Sequence, residues 1–75
     1  MYNPSLVTRY KRLKSSLPLK QRYLDIFECR HGVNDARPHT LPATGKQFGN
    51  ISGTRVGQIV ARVLYEMDNV EKMGR

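Results

Sequence analysis

Residues 19–67 read LKQRYLDIFECRHGVNDARPHTLPATGKQFGNISGTRVGQIVARVLYEM, and the run from Ser52 to Met67 carries the cleanest pattern in the chain. Val56, Ile59, Val60, Val63, Leu64 and Met67 recur at i, i+3, i+4, i+7, i+8 and i+11. That spacing lays the apolar side chains along one stripe of a helix over 53–67. The opposite face carries Thr54, Gln58, Arg62 and Tyr65, and Ser52 is placed to cap the helix. Before it, Asn50 and Ile51 form a turn, and Gly49 closes a short helix over 41–48. Thr40 is that helix's cap, and Pro42 falls in its first turn, where a missing N–H costs little.

Further towards the N-terminus, Asn34 to Pro38 read as a loop, and Gly32 as a helix end that takes positive φ cheaply. The helix it ends starts around Ser16 and Pro18, and Leu19, Tyr23, Ile26 and Phe27 line one of its faces. The first helix spans 4–15, with Asn3 as cap, Pro4 as first residue, and Leu6, Tyr10 and Leu13 at helical spacing. The fold class expected is all-α: about four helices, the last two in the order of a helix-turn-helix. Residues 1–16 form a basic amphipathic extension, 17–68 the helix-turn-helix domain, and 69–75 a short polar tail.

A chain of 75 residues makes one small domain. Its formal net charge of +7 points to a polyanionic partner or an acidic protein surface. The segment 1–22 holds Arg9, Lys11, Arg12, Lys14, Lys20 and Arg22 and no acid, and one-sided basic charge fits nucleic acid. The same bases also fit a solvated face. Cys29 is the only cysteine, so no internal disulfide forms and a reducing compartment fits. No apolar run approaches the ~18 residues of a membrane span, and bases interrupt any signal-peptide core. A cytoplasmic or nucleoid location is expected.

The order and spacing of several short motifs in residues 19–67 resemble region 4 of the housekeeping bacterial sigma factors, the domain that reads the promoter −35 element. Those motifs are Arg30-His31-Gly32-Val33, Arg37-Pro38, Thr40-Leu41, Gly45-Lys46-Gln47-Phe48-Gly49 and, after one extra residue at Asn50, Arg55-Val56-x-Gln58-Ile59-x-Ala61. The resemblance implies a free-standing region 4 that acts on promoter-like double-stranded DNA with bacterial RNA polymerase. Without the other sigma domains it does not initiate transcription alone. A phage or other mobile element fits as its source.

The positions that hold phosphates in the family match Arg22, Arg30, Thr40, Leu41 and Lys46. A capped helix start such as Thr40 also suits an anion on physical grounds. The base-reading positions depart from the pattern. Where the family has Arg, Glu, Arg and Gln, this chain has Gly53, Thr54, Gly57 and Gln58. Each arginine paired to guanine contributes ~1–3 kcal/mol of discrimination, so the usual −35 preference should be mostly lost. Three readings of the glycines stand. The chain reads another sequence through Thr54, Arg55, Gln58 and Arg62; it binds DNA with little preference; or it keeps only the family's protein-binding side. That side packs on the flap of the RNA polymerase β subunit, displacing the resident sigma domain, and Leu19, Tyr23 and Phe27, with Leu6 and Tyr10, are its candidate anchors.

Cys29, His31 and His39 are metal-type residues scattered over a helix end and a loop, without the close pairs of zinc sites. Cys29 takes an apolar core position of the motif, and His31 replaces its aromatic. No nucleophile–base set, phosphate-cradling glycine loop or paired carboxylates are present, so neither catalysis nor a cofactor is expected.

Overall fold

The computed structural model describes residues 2–73, and these are all-helical, with no strand. Four helices follow in order: α1 (Pro4–Leu13), α2 (Gln21–His31), α3 (Leu41–Gln47) and α4 (Gly53–Met73). One turn of 3-10 helix, Lys14–Ser16, continues α1. The side chains of Asn3, Thr40 and Ser52 accept the N–H groups of Leu6, Ala43 and Arg55 at 3.1, 3.2 and 3.1 Å, so each expected cap is formed. Gly32 ends α2 in the left-handed region, at φ 64°. A β-carbon there would lie 2.6 Å from the backbone of Arg37 and Pro38, so the space as well as the φ demands glycine.

The core is built on the expected stripe of α4. Val56, Ile59, Val60, Val63 and Met67 are buried, and Leu64 is half-buried at its edge. Leu24, Ile26 and Phe27 of α2 and Val7, Tyr10 and Leu13 of α1 close over it, and Val33 and the extended Leu17 fill the ends. The α1 segment therefore shares one core with the rest. Its Tyr10 ring stacks on Phe27 with centroids 4.7 Å apart.

A buried polar knot fixes α1. The Glu28 carboxylate, 8% exposed, accepts from Tyr10 Oη at 2.6 Å, Lys14 Nζ at 2.7 Å and Asn34 Nδ2 at 3.2 Å. Burial alone would raise its pKa, but these three donors outweigh burial and hold the carboxyl below its usual range. Burial and the Glu28 contact together push the Tyr10 hydroxyl up.

The structure corrects two boundaries. Leu17 and Lys20 are extended, so α2 starts at Gln21 and Leu19 lies before it, not on its face. Residues 69–73 of the expected polar tail are helical, because α4 runs on to Met73. Residues 74 and 75 of that tail, and Met1, lie outside the described residues. The extra helix carries Asp68 and Glu71, which Arg9 of α1 engages, while Arg12 reaches Glu71 at 2.9 Å. Two of the basic residues of segment 1–22 are thereby neutralised inside the molecule.

Between α3 and α4 the chain turns tightly. Ile51 N–H donates to the Gly45 carbonyl at 3.2 Å, and a β-carbon on Gly45 would lie 2.1 Å from the Ile51 carbonyl oxygen. Gly45→Ala should therefore destabilise the fold by roughly 2–4 kcal/mol through forced displacement of the turn. Gly57→Ala, whose β-carbon meets only Leu41 Cδ1 at 3.6 Å, should stabilise it by up to about 1 kcal/mol through helix propensity. Urea unfolding of the two variants checks this, and a neutral Gly45→Ala would contradict the tight turn.

Candidate nucleic-acid interface

The outer face of α4 is where the base-reading candidates stand. Thr54, Arg55, Gln58 and Arg62 are all exposed. Gly53, before them, and Gly57, between Arg55 and Gln58, are half-buried under the start of α3. A β-carbon at Gly53 would sit 3.3 Å from Pro42 N and 3.4 Å from Leu41 Cβ, and Leu41 Cδ1 also reaches Gly57. Gly53 thus has a packing role that the sequence did not show: it lets the first turn of α3 lie against the first turn of α4, whereas a β-carbon at Gly57 would make only ordinary contact. Leu41 is half-buried in this contact.

The phosphate candidates surround that face and also brace it. Arg22, exposed at the start of α2, donates from Nη2 to the Phe48 carbonyl at 2.8 Å, tying α2 to the end of α3. Arg30, half-buried, donates from Nη1 to the His39 carbonyl at 2.7 Å, and His39 N–H returns a bond to the Arg30 carbonyl at 3.1 Å. Each guanidinium keeps further N–H donors beyond these contacts. Thr40 and Lys46 are exposed.

The electrostatics are set by which bases lack acids. Glu28, Glu66, Asp68 and Glu71 are all in ion pairs, with Lys14, Arg62, Arg9 and Arg12. Among the described residues, Lys11, Lys20, Arg22, Arg30, Arg37, Lys46, Arg55 and Lys72 have no such partner. Most of the uncompensated positive charge therefore sits on or beside α2, α3, their loop and the start of α4, with Lys11 left on α1 and Lys72 near the end of α4. Arg62 pairs with Glu66 one turn on, at 3.0 Å.

Of the protein-contact candidates, Phe27 is corrected. It is fully buried between Tyr10 and His31 and offers no surface. Tyr10 is likewise fully buried, while Leu6 is half-buried against the core. Leu19 and Tyr23 are half-buried and line an open groove of about 520 Å³ with Lys20, Arg55, Gln58 and Arg62. The groove places residues from the two candidate surfaces side by side. Lys20 is the member that sequence reading missed, since its extended position before α2 has no periodic signature.

Cys29 Sγ lies 3.8 Å from His39 Nδ1, whereas His31 packs on Phe27 with ring centroids 4.6 Å apart. Among the described residues no group of three or more His, Cys, Asp or Glu is arranged to hold a metal ion, and no described helix is long and apolar enough to cross a membrane. No family model matches the chain, and no solved structure gives a significant match.

His31 Nε2 is buried without a partner. Burial first, and the adjacent Arg30 second, lower its pKa from the ordinary 6.5. The folded chain thus takes up this proton less readily than the unfolded chain. Stability should be complete above pH 6.5 and fall as pH drops below it, in a window above that of Glu28. Urea unfolding at pH 7.5 and 5.5 should show a loss of stability that His31→Phe largely abolishes. An equal loss in the variant would contradict this origin.

Proposed function

We propose that the chain is a DNA-binding transcription regulator, a free-standing relative of sigma region 4 that acts at promoters with bacterial RNA polymerase. In this reading α3 and α4 are the two helices of a helix-turn-helix, and α4 enters the major groove. The observation that carries it is the exposed polar row Thr54, Arg55, Gln58 and Arg62 on a helix bordered by cations that no acid neutralises. Arg22, Arg30 and Lys46 hold phosphates, with Thr40 and Leu41 at the start of α3, and the exposed row touches bases. Gly53 and Gly57 carry no reader and sit under α3, so the site recognised differs from the usual −35 element.

A second reading is favoured by the groove beside α4. Leu19 and Tyr23, flanked by Lys20, Arg55 and Arg62, suit a helix with an apolar face and acidic edges. In sigma factors region 4 grips the polymerase β flap, and a chain that did only this would be a sigma mimic without sequence reading.

Anisotropy titration against a −35 consensus duplex and a scrambled duplex at two salt concentrations separates the two. Three cationic phosphate contacts predict a log–log salt slope of about −3. Salt-sensitive binding with that slope supports the DNA reading, and a preference between the duplexes adds sequence reading. No binding at low salt sinks it, and leaves the isolated β flap as the partner to titrate.

A further inference from the structure

We infer that Gln58 reads the acceptor edge of a guanine, and that Arg55 sets this preference by occupying the amide oxygen of Gln58. The inference rests on the DNA reading above and goes further, to the base recognised.

Arg55 is held from three sides. Its backbone N–H is tied to Ser52 Oγ at 3.1 Å. Its Nη2 donates to Tyr23 Oη at 3.2 Å, and its Nη1 donates to Gln58 Oε1 at 3.4 Å. The guanidinium also sits 5.9 Å from the centre of the Tyr23 ring. Tyr23 is half-buried on α2, so the arginine is anchored by a second helix and not only by its own. A guanidinium has donors and no acceptor. Gln58 must therefore turn its oxygen towards Arg55, and its two N–H donors face outward.

The rest of the groove matches. Lys20 and Arg62 line it, both donors only, and no carboxylate does. The acceptor on this face of α4 is the Thr54 hydroxyl, which lies outside the groove lining. In the major groove guanine displays two acceptors, N7 and O6. Adenine displays one acceptor and an amino donor, and cytosine an amino donor. A glutamine free of neighbours pairs with adenine through both its oxygen and its nitrogen. With its oxygen engaged by Arg55 and its two N–H donors outward, Gln58 meets guanine's two acceptors better than adenine, whose amino group has only that oxygen's remaining lone pair, beside a cation, to reach.

The test is a selection on a duplex pool with a randomised core at low salt, with sequencing of bound DNA. It uses the full chain and its Arg55→Ala, Gln58→Leu and Tyr23→Phe variants. Arg55 and Gln58 are exposed, and Tyr23→Phe keeps the ring, so helicity by circular dichroism should be unchanged. The parent chain should favour guanine over adenine about tenfold at one position. Gln58→Leu should flatten that position. Arg55→Ala, which returns the oxygen to Gln58, should raise adenine there to parity or above, and Tyr23→Phe should move it part of the way. Simple loss of guanine preference in Arg55→Ala, with no gain of adenine, would overturn the inference, because Arg55 itself would then be the reader. Adenine favoured by the parent chain would overturn it as well. Salt-sensitive binding with no enrichment at any position overturns the inference and leaves DNA binding standing; no binding at all overturns both.

Discussion

The Ile51 carbonyl passes so close to Gly45 that a single methyl on Gly45 would occupy the same space. Both Gly45 and its neighbour Thr44 are buried there, against α4. This contact sets the distance and angle at which α3 leaves its turn and α4 begins. A further close approach follows from it, Leu41 and Pro42 over Gly53. With α3 seated in this way, one side of the α4 N-terminal half is covered and the other, with Thr54, Arg55, Gln58 and Arg62, is left to solvent. The exposed polar face of α4 is thus defined by where small residues let the backbone come close.

Charge divides the molecule along the same lines. The far end of α4 supplies Asp68 and Glu71 to Arg9 and Arg12, and the buried Glu28 takes Lys14. The exposed pairs of Arg9 and Arg12 contribute little to stability singly, but together with the Lys14–Glu28 pair they offset most of the charge of the first helix and its 3-10 turn, leaving Lys11 without an acid. Most of what remains positive lies on or beside α2, α3 and the start of α4, with Arg22 and Arg30 also bracing the chain by donating to the Phe48 and His39 carbonyls. A side chain that both holds a turn and keeps spare donors presents those donors in a fixed direction, which suits a polyanion of regular geometry.

The helices were legible because their signals are local. The i, i+3, i+4 stripe of α4, the caps Asn3, Thr40 and Ser52, and the glycine end of α2 are all read from neighbours in the chain. What was not legible depends on partners distant in sequence. Nothing near Asp68 or Glu71 announces that Arg9 and Arg12 extend the helix beyond Met67. Phe27 has the spacing of a surface anchor and of a core residue alike, and only α1 packing over it decides. The glycine at 53 reads as a lost side chain until Leu41 and Pro42 are seen against it. Ala36 takes φ 58°, a left-handed conformation for which alanine gives no warning. Of the candidate site, the exposed row on α4 followed from periodicity, while the link from Arg55 to Tyr23, 32 residues apart, did not.

In the proposed function the outer face of α4, with the cations of α2 and α3 beside it, is the surface that meets a duplex. Amide chemical-shift mapping of the isotope-labelled chain titrated with double-stranded DNA tests it most directly. Perturbations should concentrate at Thr54, Arg55, Gln58 and Arg62, with Arg22 and Lys46 at the margins, and change little along α1 or beyond Met67. Perturbations centred on α1 or on the C-terminal turns of α4, with the Thr54 to Arg62 face unmoved, would contradict it.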